Sequence, residues 1–434
     1  MKLLHANDRR GVHAPSWYQA SCATDDRPSL EHNIDADVCV VGAGYTGLAA
    51  ALELAATGHR VIVLDAHRIG WGASGRNGGQ LGSGFNKDQR ALEQLVGESH
   101  AHALWQIAEE AKQHIRQLCQ NHSIDIDDTP GIVYAQHRQR HVSDAHDYCK
   151  HLAGNYGYDQ MEPLTRDMIR EHVASENYHG GVLDHGAAHV HPLKLASGLA
   201  RVAEKAGASI HEMSEVLRID ASHGRSRQRV VTATGSVVCD KVILAANGYL
   251  DGLQPSLNKW SMPINNFIVV TEKLGERARQ LLPQNNAVAD SRFVVNYFRR
   301  VDDDRLLFGG GENYSYRFPD AISRSVRRAM LGVFPQLDGV AIDHAWGGTL
   351  AITRNRLPFL QQINPNTYAA GGYSGHGVAL APMYGTAIAE HINGQTERFE
   401  HLSTLPGMAF PGGTASRPAL LALAMTAYSW RDRL

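Results

Sequence analysis

The spacing of apolar and polar positions divides the chain into buried strands, amphipathic helices and glycine-rich turns. Asp37-Val-Cys-Val-Val-Gly42 is a short, continuous apolar run closed by glycine, the pattern of a strand buried on both faces. A stretch of small residues follows and ends near Gly58, as expected of a helix packed close to a strand. Arg60-Val-Ile-Val-Leu-Asp65 repeats the buried-strand pattern and ends on an acid. Over 91–121, Leu95, Leu104, Ile107, Ala111, Ile115 and Leu118 recur near helical spacing and predict one long helix. A strand is expected at 131–135, a helix from His191-Pro192 to Ala206-Gly207, and strands at 209–213 and 216–219. Val237-Val-Cys-Asp-Lys-Val-Ile-Leu-Ala-Ala246-Asn247-Gly248 reads as a hairpin leading into a buried strand and a small-residue turn. Residues 251–345 alternate as an antiparallel sheet does, with strands at 266–271, 293–299 and 306–309 and a hairpin tip at 302–305. The last strand, 368–371, runs into a glycine loop and a helix from about Val378 to His391, closed by Asn393-Gly394.

Chemistry enters at the first turn. Gly42-Ala-Gly44-Tyr45-Thr46-Gly47 is Gly-x-Gly-x-x-Gly between a buried strand and a helix. Gly42 permits the tight turn, Gly44 lets the backbone approach a pyrophosphate, and Gly47 lets helix and strand pack closely. Asp65 lies eighteen positions beyond Gly47, about where a carboxylate reaches an adenosine ribose. The competing reading is glycines that serve only a tight strand–helix turn. An NAD unit usually continues from its second strand into a loop and helix. Here the chain gives Arg68-Ile-Gly-Trp-Gly72-Ala-Ser-Gly-Arg76-Asn-Gly-Gly79-Gln80, an exposed, backbone-rich loop suited to tracking a longer ligand, with its amides and Arg76 towards phosphate or flavin polar atoms. The positive end of the helix after 377 suits negative charge on a reduced flavin. Both features favour FAD.

These segments, in this order, resemble the D-amino-acid-oxidase-like superfamily of flavoproteins. Within it, the chain is similar to the gamma-glutamylputrescine oxidases, also described as glutamylpolyamine oxidoreductases. The matching stretches are the loop at 68–80, Leu183-Asp-His-Gly-Ala-Ala-His-Val-His-Pro192, Arg305-Leu-Leu-Phe-Gly-Gly-Gly311 and Gly372-Tyr-Ser-Gly-His-Gly377. The C-terminal Phe410-Pro-Gly-Gly413 and Tyr428-Ser-Trp-Arg-Asp-Arg-Leu434 also match. The resemblance implies an α/β fold, with a Rossmann-type FAD-binding domain interleaved with a mainly antiparallel-sheet substrate domain. FAD-binding segments are expected at 34–128, 190–250 and 346–395 and substrate segments at 129–189 and 251–345. These lie between an N-terminal extension, 1–33, and a C-terminal extension, 396–434.

The expected cofactor contacts are Gly42, Gly44, Tyr45, Thr46 and Gly47 of the first turn, with Asp65 and Ala66 after the second strand. In the loop they are Gly72, Ala73, Ser74, Arg76, Asn77, Gly78, Gly79 and Gln80. Later in the chain they are Val216, Ala246, Asn247, Gly248, Gly375, His376, Gly377 and Val378. His376, beside the flavin, is expected to stabilise negative charge as a protonated or hydrogen-bonding imidazole, or to cap the helix. Tyr297 and Arg299 alternate on one strand and face one side. Related oxidases use such residues above the flavin to receive a substrate carboxylate or to shape the pocket, and a solvated edge pair is the alternative. Glu312, Tyr314 and Tyr316 share a strand face that would attract a cationic amine, against a reading as a solvated strand end.

Two departures from the superfamily narrow the reading. Some members attach flavin covalently through a Cys aligned with Trp346-Gly-Gly-Thr349 or a His aligned with Arg76-Asn-Gly-Gly79. Neither residue type is present, so FAD is expected to be non-covalent. Sarcosine oxidases place a lysine two residues beyond the Gly-His-Gly turn, where this chain has Ala379, which argues for a longer amine. The expected activity is oxidation of a gamma-glutamylated diamine or polyamine to the aldehyde by hydride transfer, with oxygen or another acceptor. The alternatives are a D-amino-acid or N-methyl-amino-acid oxidoreductase, or a flavin-binding protein without turnover.

Composition excludes other classes. The chain has 434 residues, 43% of them hydrophobic, enough for a large core. A formal net charge of −2 argues against nucleic acid as a partner. No run of eighteen apolar residues predicts a membrane span, and the first ten residues lack the apolar stretch of a secretory signal. Five scattered cysteines suit a reducing cytoplasm. His189 and His191 have no third ligand at sensible spacing, so no metal is expected.

Overall fold

In the computed structural model, which describes residues 2–221, 227–250, 252–313 and 317–410, the chain builds three sheets. The first has six strands in the order Phe359–Asn364, Thr367–Gly371, Lys241–Leu244, Val38–Val41, Val61–Leu64 and Ser209–His211. All pairings are parallel except the hairpin of the first two. Alternation along Val38–Val41 explains why every residue is apolar. Val38 and Val40 face a helical layer, whereas Cys39 and Val41 face a small second sheet. That sheet orders Asn33–Asp35, Ser236–Cys239, Gln228–Val231 and Arg218–Ala221.

The helical layer contains Tyr45–Ala56, Gly377–Ile392, Glu98–Asn121 and Pro192–Lys205. Tyr45–Ala56 and Gly377–Ile392 approach closely because Gly385 has no side chain. A Cβ there would lie 2.2 Å from the Thr46 carbonyl oxygen.

The third sheet orders Ile342–Thr353, Ser261–Thr271, Arg305–Asn313, Tyr297–Val301, Ala287–Asp290, Thr129–Ala135, Gly181–His189 and Gln80–Leu81, with Met161–Leu164 also paired to Gly181–His189. Only Ala287–Asp290 with Thr129–Ala135 is parallel among its pairings. Helix Ile322–Val333 covers one face through Val326, Met330 and Val333. Trp17, Tyr18 and Leu193 cover part of the other, against Ile268, Val270 and Trp346.

Several expectations differ from this structure. The long helix is two, Gln89–Val96 and Glu98–Asn121, broken at Gly97 with φ of 84°, and Leu95 is exposed. Residues 237–244 form no hairpin. Ser236–Cys239 and Lys241–Leu244 belong to different sheets, and the amides of Asp240 and Lys241 both donate to the Asp37 carbonyl where the chain steps between them. The strand expected at 293–299 starts only at Tyr297. Ile342–Thr353 continues across the division expected at 345/346. Among the described residues no helix is long and apolar enough to cross a membrane.

Candidate functional site

A cleft of about 1350 Å³, its open mouth included, lies at the carboxyl ends of Val38–Val41 and Val61–Leu64. Such crevices beyond the strand ends are where doubly wound sheets bind ligands. The first turn is built on close backbone contact. Gly42 has φ of 109°, and a Cβ on it would lie 2.9 Å from the Ala245 carbonyl oxygen. A Cβ on Gly47 would lie 2.0 Å from the Gly42 carbonyl oxygen, so only glycine lets the helix sit this near the strand.

Two helix N-termini open on the cleft. Tyr45–Ala56 begins after Gly44 and Gly377–Ile392 after His376, neither with a side-chain cap, and Gly44, Tyr45, Thr46, Gly375, Gly377 and Val378 line the wall. The Thr46 hydroxyl bonds the Tyr373 hydroxyl at 2.6 Å and ties the two starts together. Ser74 Oγ accepts from the Tyr45 amide at 3.1 Å, docking the glycine loop on the first helix. Asp65 accepts from the Ala43 amide at 2.7 Å and the His67 amide at 2.8 Å. Burial nevertheless pushes its carboxyl up to about 6, since desolvation outweighs the two amides. Asn247, at φ of 45°, accepts from the Gly372 amide at 2.9 Å and joins the two late segments. Two uncapped positive helix ends, a glycine cradle and a carboxylate at the second strand fit a dinucleotide.

The structure brings Gly42, Gly44, Tyr45, Thr46, Asp65, Ala66, Gly72, Ala73, Ser74, Asn77, Val216, Ala246, Asn247, Gly375, Gly377 and Val378 onto one wall. It places other candidates elsewhere. Arg76 is buried and is not among the residues that line the cleft. It donates to the carbonyls of Trp71 at 2.5 Å and Gly347 at 3.0 Å, pairs with Asp8, and stacks 4.5 Å over the Trp71 ring. Nε and Nη1 thus brace the loop, while Nη2 is buried without a hydrogen-bond partner among the described residues. Gly47 serves helix packing, and Gly248 lies beside strand Ile342–Thr353.

Gly78, Gly79 and Gln80 contact the large sheet. A Cβ on Gly78 would meet the Tyr297 ring at 2.7 Å, and one on Gly79 the Val190 carbonyl oxygen at 2.1 Å. Gln80 pairs with His189 and donates to the Val288 carbonyl. Tyr297 and Arg299 do share a side, facing this glycine pair. The Arg299 guanidinium donates to the carbonyls of Gly78 and Val190, each at 3.0 Å, and to His189 Nδ1 at 3.1 Å. It is buried and committed to holding the loop, which corrects the reading of Arg299 as a carboxylate receptor. The Tyr297 hydroxyl donates to Asn266 at 2.5 Å. Glu312 stands opposite Asn266 on the neighbouring strand, whereas Tyr314 and Tyr316 lie outside the described residues.

His376 precedes the second helix without capping it, and its ring packs on Gly82, whose Cβ would meet it at 2.8 Å. Burial lowers its pKa, which favours the neutral, hydrogen-bonding form of the imidazole over the protonated one. Behind Gly82 lies a buried polar cluster. Lys112 donates to Ser83 Oγ at 2.5 Å and pairs with Glu109 at 2.8 Å, while Ser83 and Tyr158 each donate to Asp184 at 2.6 Å.

His189 and His191 are structural. His189 lies between Arg299 and the Asn285 carbonyl, and His191 Nδ1 accepts from the Lys194 amide to cap Pro192–Lys205. Among the described residues no cluster suits a metal.

The sequence reading missed Lys2, Leu4, His67, Trp71, Glu215, Tyr249, Leu350, Ala351, Tyr373 and Ser374 on the cleft wall. Tyr373 and Ser374 stand inside the Gly-Tyr-Ser-Gly-His-Gly motif and were legible there. Lys2, Leu4 and Glu215 carry no local signal, because only folding brings 2–4 beside 215.

Comparisons with known proteins agree with this geometry. The sequence model described as "FAD dependent oxidoreductase" matches residues 37–391. A gamma-glutamylputrescine oxidoreductase of Escherichia coli is 41% identical, over 97% of this chain and 99% of its own length. A Rhizobium meliloti protein named "Probable oxidoreductase OrdL" is 40% identical over 96% and 97%. Among solved structures, glycine oxidase from Geobacillus kaustophilus superposes with a TM-score of 0.69 at 22% identity, covering 83% of this chain and 95% of its own.

Proposed function

The chain belongs to the FAD-dependent oxidoreductase family, and from that premise we propose that it oxidises a gamma-glutamylated diamine or polyamine at the carbon bearing the terminal amine. The observation that carries the substrate class is the 41% identity, over nearly the whole of both chains, to a gamma-glutamylputrescine oxidoreductase. Glycine and sarcosine oxidases are similar at only 22–24%.

FAD held in this cleft would supply the two-electron acceptor for hydride removal from the amine-bearing carbon. The chain's own residues orient and enclose. The ends of helices Tyr45–Ala56 and Gly377–Ile392 lend positive potential to the anionic parts of the dinucleotide. Asp65 offers a carboxylate to ribose hydroxyls. Arg299 and Tyr297 hold Gly78 and Gly79 in place, so in this reading they position the flavin loop. Neutral His376 offers hydrogen bonding beside that loop without adding a charge, and Glu312 provides a carboxylate for a cationic amine. FAD is held non-covalently, the electrons pass to oxygen or to another acceptor, and the protein acts in the cytoplasm. The interleaved division into FAD-binding and substrate segments is part of the same proposal, with the division expected at 345/346 placed after Thr353.

Rapid mixing of the FAD-loaded protein with gamma-glutamylputrescine, sarcosine, glycine and a panel of D-amino acids tests the substrate. Flavin bleaching by the glutamyl amine at least tenfold faster than by the others is expected. Fast bleaching by glycine or a D-amino acid, with none by the glutamyl amine, refutes the proposal. Peroxide release set beside a dye-linked assay decides the acceptor.

A further inference from the structure

Residues 2–13 lie outside the part matched by the family model, yet the segment begins at the dinucleotide cleft and is tied to residues 67–76 that build the cleft's glycine loop. Lys2 and Leu4 form part of its wall. The segment is anchored on both sides. At the nucleotide end, Lys2 and His5 both contact the Glu215 carboxylate, at 3.1 and 3.0 Å, next to the cleft-lining Val216. At the far end, Asp8 pairs with Arg76 under the glycine loop, and Asn7 accepts from the Phe318 amide at 2.7 Å. Between them His67 acts as a clasp. Its Nδ1 accepts from the Gly11 amide at 3.1 Å, which leaves Nε2 to donate to the Leu4 carbonyl at 3.0 Å. The ring stacks on Trp71 at 3.6 Å and 3°. Burial holds His67 down to about 4, keeping the neutral form this double role requires. The clasp connects directly to the site, since the His67 amide donates to Asp65 and His67 itself lines the cleft.

We propose that residues 2–13 are a binding element for the nucleotide half of the cofactor, a strap that must open for FAD to leave and so sets its residence time. The inference rests on the flavin reading above. Its physical basis is the balance of contacts. Apart from Leu3 the strap buries little apolar surface and is held by single hydrogen bonds and ion pairs, those of Lys2 and His5 with Glu215 partly exposed and that of Asp8 with Arg76 largely buried. Such an element opens locally at low free energy while the sheets stay folded. A ligand that contacts only the closed form stabilises that form, and the closed form binds the ligand more tightly by the same coupling; release of the enclosed ligand then waits on opening of the strap. In a protein without a covalent link to flavin, this strap supplies kinetic retention.

The test uses the full-length FAD-loaded protein beside three variants: deletion of residues 2–13, His67→Ala and Glu215→Gln. FAD release is followed as the rise of free-flavin fluorescence on dilution. Release ten- to a hundredfold faster is expected for the deletion and His67→Ala, and several-fold faster for Glu215→Gln. Trypsin cleavage after the exposed Arg9 and Arg10 is compared with and without FAD, and slower cleavage of the loaded form is expected. Release within twofold of the parent in both point variants, or cleavage indifferent to FAD, overturns the strap. If the deletion does not fold, the point variants decide. A parent protein that takes up no FAD overturns the flavin reading itself, a result distinct from equal release rates.

Discussion

Lys112→Met removes the single cation of a buried cluster and exposes how that cluster supports the site. The Lys112 side chain is almost wholly buried, and its ammonium lies 2.8 Å from Glu109, 2.5 Å from Ser83 and 3.3 Å from the Tyr158 hydroxyl. Asp184 is fully buried behind Ser83 and Tyr158. Methionine fills much of the lysine volume, so the change isolates charge from packing. Without the ammonium, the buried Asp184 and the partly buried Glu109 are left without a counter-charge, a loss of about 3–5 kcal/mol. Unfolding entropy of about 2.1 cal/mol/K per residue gives roughly 0.9 kcal/mol/K for 434 residues, so the melting temperature should fall by about 4 °C. Burial already raises the Glu109 pKa, and the variant strengthens that tendency, so protonation relieves the deficit. Thermal melts at pH 8 and pH 5.5 should show a larger deficit at pH 8. Lys112→Met/Asp184→Asn should recover about half. Melting within 1 °C of the parent, or a deficit equal at both pH values, refutes the argument that Lys112 neutralises the cluster.

Two further outcomes follow from geometry and burial. Burial and the Arg299 charge hold His189 and His191 at about 3, below the unfolded value of 6.5, so the unfolded chain binds more protons between those limits. Stability falls as pH drops through 6.5, by about 3 kcal/mol for the pair between pH 6.5 and 5. Urea midpoints unchanged from pH 7 to 5 contradict this, and His191→Asn, which can still cap its helix, should flatten the slope. Gly47→Ala forces its Cβ against the Gly42 carbonyl oxygen and should yield protein with little bound FAD. Gly154→Ala, in an open helical position, should leave FAD content unchanged and raise stability by about 0.5–1 kcal/mol. Equal FAD content in both purified variants refutes the close-packing role of Gly47.

The dinucleotide turn was readable because every part of it is local. Buried-strand runs, glycine spacing, a small-residue helix and an acid at the next strand end lie within thirty residues, and each is a statement about backbone conformation or nearest-neighbour packing. The antiparallel character of 261–313 was readable for the same reason, from alternation. Errors arose where neighbours in sequence part company. Ser236–Cys239 and Lys241–Leu244 resemble a hairpin in pattern, yet the chain steps between sheets at Asp240. The helical periodicity across 91–121 conceals a break, because Gly97 interrupts the backbone without disturbing the apolar spacing.

By itself the sequence determined the cofactor class, the α/β architecture and about half of the residues that line the cleft, since these follow from short-range backbone and packing rules. Only the tertiary structure decided where the charged side chains go. Arg76 finds Asp8 and the Gly347 carbonyl, Arg299 finds Gly78 and Val190, and residues 2–13 close over Glu215 and His67. A long polar side chain in the interior settles on whichever partners relieve its desolvation, and those partners come from distant parts of the chain. Residue type and spacing carry no record of them.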